Sequence, residues 1–97
     1  MISKTFIYKI PNGKMLRVIA ELDGEKINKI KITGDFFIHP EESIMVIEKS
    51  IINCDKHTNE NDLMEKIDAA INLTKAKLIG VDARSIAFAV HSAVVSE

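Results

Sequence analysis

A chain of 97 residues has room for one hydrophobic core and no second. Its 46% apolar and 28% charged residues are the composition of a folded globular chain, not of a disordered one. The net charge of −1 gives no bulk field for nucleic acid or an anionic membrane, and no apolar run approaches the length that spans a bilayer. One cysteine, Cys54, excludes an internal disulfide and suits a reducing cytoplasm. The N-terminal Met-Ile-Ser-Lys-Thr-Phe lacks the apolar core of a signal peptide, so a cytoplasmic protein is expected. Charge is unevenly distributed: residues 1–34 carry a balance of +4 and residues 35–97 one of −5.

Phe6, Tyr8 and Ile10 alternate with Thr5, Ile7 and Lys9, which predicts a first strand. Pro11-Asn12-Gly13-Lys14 has the chemistry of a turn. Leu16, Val18, Ala20 and Leu22 then mark the inner face of a second strand, and Asp23-Gly24 is a hairpin signal. A third strand is predicted from about Lys26 to Phe36, with Gly34 as a bulge or close backbone approach. The short connections imply an antiparallel meander in the order 1-2-3.

Pro40 stands where a first helical position is expected, with Glu41 and Glu42 favourably placed for the helix dipole. From there the apolar period changes. Ile44, Ile47 and Ile51, widened by Met45 and Ile52, predict a helix with Glu48 and Lys49 facing away. Asn53 to Asn61 reads as a loop ending in a cap from Asn59 or Asn61, before a second helix striped by Leu63, Ile67, Ala70 and Ile71. Gly80 punctuates, Asp82 is the expected N-cap of a third helix, and residues 86–95 are the most apolar stretch of the chain. The fold class is therefore α+β: a three-stranded antiparallel meander with about three helices packed on one face, in a single domain spanning 1–97. The other sheet face is expected to carry Lys9, Arg17, Lys29 and Lys31, with Met15 and Ile19 among them.

A self-contained enzyme needs a positioned nucleophile, acid–base pair, metal or phosphate cradle, and the inventory here is thin. Gly13, Gly24, Gly34 and Gly80 are scattered, so no glycine-rich phosphate loop exists. Cys54 and His57 have half of a zinc-like spacing, but His39 and His91 fall in other elements, and no metal site is expected. Asp35 is the sharpest candidate for directed chemistry. Its carboxylate either caps the following helix or accepts turn N–H groups, or it belongs to a strand end that faces a partner's active site. Phe36 and Phe37 should point to opposite faces, one into the core and one under a loop or at an interface. The basic residues on the sheet are either simply solvated or contact phosphate or an acidic surface.

Thr33-Gly34-Asp35-Phe36-Phe37, followed by His39-Pro40-Glu41-Glu42, resembles the C-terminal accessory domain of lipoate–protein ligases. In particular it is similar to the archaeal two-chain type, in which that domain is a separate small subunit. The likeness extends through Pro11-Asn12-Gly13-Lys14-Met15-Leu16-Arg17, the Asp23-Gly24 turn and Leu78-Ile79-Gly80-Val81 before the last helix. The resemblance implies a fold similar to sulfur-acceptor and iron–sulfur scaffold domains. Those scaffolds hold their clusters with several cysteines, and this chain has one.

The resemblance also implies an accessory subunit with no complete active site of its own. It would form a heterodimer with the large catalytic subunit and serve ATP-dependent conversion of lipoate to lipoyl-AMP, before transfer to a lysine of an acceptor domain. ATP, Mg and lipoate would be held in the complex, with no cofactor bound by this chain alone. Gly34, Asp35, Phe36 and Phe37 match the strand-end segment, Gly13 and Lys14 the glycine–lysine turn with Arg17 shortly after it, and His39 matches the stretch before the first helix. These eight are the candidate site-completing residues. The competing reading is a stand-alone interaction module, unrelated to lipoylation, that uses the apolar third helix or the basic sheet face.

Overall fold

The alternation of small and branched apolar residues with polar ones builds three strands, β1 (Ile2–Lys9), β2 (Met15–Asp23) and β3 (Lys26–Gly34). In this computed structural model, which describes residues 1–95, they form an antiparallel sheet in the order β1-β2-β3. Ile2 lies opposite Leu22 and Lys9 opposite Met15, while Leu16 lies opposite Gly34. The β2–β3 register shifts once, at Glu21/Leu22. Leu16, Val18, Ala20 and Leu22 are buried on one face together with Ile27, Ile30 and Ile32. The meander expected from the short turns is therefore the one observed.

Three helices cover that face: α1 (Ser43–Ser50), α2 (Glu60–Thr74) and α3 (Ala83–Val95). The apolar α3 lies across β1 and β2, α1 packs on β3, and α2 packs against the other two helices. Ile86, Ala87, Ala89, Val90, Ala93 and Val94 of α3 enter the same core as Ile47, Ile51, Leu63 and Ile67. Small residues on α3 let the helix approach the sheet closely. Phe88, at the rim of that core, packs against Tyr8 of β1 with ring centroids 4.8 Å apart and planes tilted by 51°.

Both sequence-expected caps are present. The Asn59 side chain accepts the Asp62 N–H at 2.8 Å. Asp82 Oδ1 accepts the Ser85 N–H at 2.7 Å, while Ser85 Oγ accepts the Asp82 N–H at 3.1 Å, a reciprocal pair that closes the start of α3.

Four local expectations are corrected. The third strand ends at Gly34 and not at Phe36; Phe37–His39 instead forms β4, which pairs antiparallel with β5 (Lys77–Ile79) as a second small sheet. The stretch before the last helix thus contains a strand, too short at three residues to show any period. Pro40 does not open α1. Its carbonyl accepts the Ser43 N–H at 3.0 Å, and a turn over residues 40–43 delays the helix to Ser43. Met45, expected in the buried stripe, is 54% exposed.

Glu48 does not face away. Its Oε2 accepts the Ile32 N–H at 2.8 Å, so a helix side chain closes part of the open edge of β3. The start of that edge is met by the segment after α1: Ile27 donates to the Cys54 carbonyl, Asn53 donates back to Ile27, and Lys56 donates to Glu25 just before the strand. The polar run from Asn53 is irregular, as expected, but it works as a cover for an edge strand.

The junction of sheet and helix as the candidate functional site

Gly34 marks the place where the chain leaves the main sheet. A Cβ there would stand 2.2 Å from the Met15 carbonyl oxygen and 2.8 Å from the Phe36 ring, so only glycine allows β3 to pass so close to β2. The Asp35 N–H still donates to that carbonyl at 3.1 Å, after which the chain turns away into β4. A cap role for Asp35 is overturned. The residue is exposed, its carboxylate has no hydrogen-bond partner among the described residues, and the N-cap of α1 is Glu42, without a side-chain bond.

The two phenylalanines diverge as expected. Phe36 is half-buried against the core, and Phe37 is 68% exposed. In the small sheet Phe37 lies opposite Ile79, itself 61% exposed, and His39 lies opposite Lys77. Ile38 and Leu78, on the other face of the sheet, pack toward the core. An exposed Phe–Ile pair with a His–Lys pair beside it is thus the outer face of this two-stranded sheet.

The β1–β2 turn closes the other side of the same end of the molecule. Gly13 N–H donates to the Ile10 carbonyl at 2.9 Å, and Lys14 N–H donates to the Gly80 carbonyl at 3.2 Å. Gly80 has φ +84, and a Cβ there would meet the Lys14 stem at 2.5 Å. The stem of Lys14 therefore lies over Gly80, directly after β5. Gly13, Lys14, Gly34, Asp35, Phe36, Phe37 and His39 are drawn to one end of the fold, although they lie in two separate stretches of sequence. Arg17 is the exception: it stands on the exposed face of the main sheet, opposite Ile7 and Thr33.

Between the end of β3, β4 and the start of α1 runs an open groove of about 790 Å³. Phe36, Phe37, Ile38, Ile44 and Met45 give it an apolar lining, and its charged lining residues are Glu41 and Glu42. Sequence reasoning missed Met45 and Ile79 as surface residues. Met45 fell at helical spacing with buried neighbours, and Ile79 belongs to a strand too short for alternation to reveal.

At the opposite end of β2, Glu25, Asp55 and His57 bring ligand atoms within 4.8 Å of one another, with His57 Nε2 3.8 Å from Glu25 Oε1. This group includes His57 but not Cys54, the partner that sequence spacing suggested, and Glu25 and His57 are exposed. Among the described residues no nucleophile–base–orienter set converges at the junction, and no helix is long and apolar enough to cross a membrane.

No family model matches the chain. A 34-residue stretch, 35% of this chain, is 50% identical to Lipoate-protein ligase A subunit 2 of Thermoplasma acidophilum, and it spans 36% of that relative's length. The fold as a whole is similar to a chain from a structural analysis of an archaeal lipoylation system, a bipartite lipoate protein ligase and its E2 lipoyl domain from Thermoplasma acidophilum. The TM-score is 0.69 at 28% identity, and the superposition covers 93% of each chain. The resemblance carried by Thr33 to Glu42 thus agrees with both a local sequence match and a whole-chain structural one.

Proposed function

We propose that this chain is the small, non-catalytic subunit of a two-chain lipoate–protein ligase. The observation that carries the reading is the likeness over 93% of both chains to a protein of the archaeal bipartite system, at 28% identity. The thin chemistry of the domain supports it. A junction holding an exposed aromatic, two glycine-dependent close approaches and a carboxylate without a hydrogen-bond partner, with no full reacting set among the described residues, is suited to completing a site in another molecule.

In this reading the large subunit holds ATP, Mg and lipoate and carries out both adenylation and transfer to the acceptor lysine. The small subunit serves the first step, formation of lipoyl-AMP. Its junction end, where the exposed Asp35 carboxylate can accept a hydrogen bond from the partner, orders a loop of the large subunit over its nucleotide. The two chains work as a cytoplasmic heterodimer.

Mixing the purified chains with ATP and lipoate, and following pyrophosphate release with each omitted in turn, tests the reading. Release should require both chains. A large subunit that releases pyrophosphate equally fast alone counts against the proposal. Asp35→Ala should leave the fold intact and slow adenylation by the mixture, whereas transfer from preformed lipoyl-AMP should be unchanged. An unaltered rate of pyrophosphate release removes Asp35 from the account.

A further inference from the structure

We infer that the groove beside β4 seats a segment of the catalytic subunit in which an apolar side chain is flanked by lysine or arginine. This rests on the two-chain reading above and names the surface it uses. Two large exposed apolar side chains, Phe37 and Met45, line the groove, and a third, Ile79, lies opposite Phe37 on the neighbouring strand. Phe37 and Met45 wall the groove, while half-buried Phe36, Ile38 and Ile44 supply its depth. An exposed apolar patch of this kind with a polar rim marks an interaction site more often than a chance of composition.

Charge decides which kind of segment fits. Glu41 and Glu42 are exposed and line the groove, Asp35 is exposed next to Gly34 in its wall, and no lysine or arginine lines it. The exposed face of the main sheet has the reverse character, with Lys9, Arg17, Lys29 and Lys31 all exposed. A basic, apolar-anchored segment is therefore attracted to the groove and repelled from the sheet face, which fixes the orientation of docking. The backbone edge of β3 gives a second limit. Glu48 already occupies the Ile32 N–H, so that donor near the end of β3 is closed to a docked strand and the anchors there are side chains.

The test is titration of the purified catalytic subunit into the 97-residue chain and its variants at low and moderate salt, with circular dichroism confirming that each variant folds. Met45→Asp and Phe37→Asp should each weaken association by about tenfold or more, the scale of an interface anchor. Glu41→Lys combined with Glu42→Lys should weaken it at low salt and flatten its salt dependence. Leu73→Asp, at a 78% exposed apolar position on α2 outside the groove, should bind as the unaltered chain does. Groove variants that bind with unaltered affinity overturn the inference while leaving the two-chain reading in place. Failure of the unaltered chain to bind the catalytic subunit overturns both.

Discussion

Replacing Gly34 by alanine tests the geometry that creates the junction. The added methyl would lie 2.2 Å from a backbone oxygen, Met15 O, and 2.8–2.9 Å from two atoms of the Phe36 ring. The oxygen belongs to the central strand and cannot swing aside as a flexible side chain would, so strand or glycine must move by roughly 1 Å to recover van der Waals separation. Overpacking of this kind costs about 2–3 kcal/mol, which in a domain of this size lowers Tm by about 10–20 °C. Gly24→Ala is the comparison. Gly24 has φ +61 but nothing within 4 Å of a built Cβ, so its loss is conformational only, about 1 kcal/mol. Urea denaturation of the two variants measures both. Gly34→Ala should lose at least twice as much as Gly24→Ala and should also weaken association with the partner, because relief of the clash displaces Asp35 and Phe37. A Gly34→Ala protein as stable as Gly24→Ala would refute the argument that close approach, and not backbone freedom, dictates glycine there.

Glu48→Ala should destabilise by about 1–3 kcal/mol in urea denaturation, since it strips the Ile32 N–H of its acceptor, whereas Glu48→Gln keeps an acceptor and should recover most of the loss. Ser43→Ala should be neutral or stabilising by up to about 1 kcal/mol, because Ser43 is 2% exposed and its buried hydroxyl has no hydrogen-bond partner among the described residues; a clear loss of stability would show that the hydroxyl is satisfied in solution. Asp82→Ala should cost about 1 kcal/mol by removing the acceptor for the Ser85 N–H, and amide exchange should rise in the first turn of α3 more than in α2.

Much of this protein was legible in one dimension. The inner face of β2 follows from Leu16, Val18, Ala20 and Leu22, because a pleated strand alternates faces strictly and one register alone buries them. The start of α3 follows from Asp82 and that of α2 from Asn59, because a cap is a contact between residues three apart. The divergence of Phe36 and Phe37 is likewise a local property of extended chain.

What the chain did not announce are contacts between distant stretches. β4 and β5 are three residues each and exist as strands only because they meet one another, some forty residues apart in sequence. Glu48 looks like a solvated helix residue until β3 presents an unpaired N–H beside it. Met45 looks buried until the small sheet leaves its side of α1 uncovered. Periodicity and turn chemistry act over a few residues, so they determined the meander, the caps and the apolar faces. Which apolar groups stay uncovered, and which end of the fold gathers Lys14, Gly34, Asp35 and Phe37, is decided only when the elements compete for the same core and the losers remain at the surface.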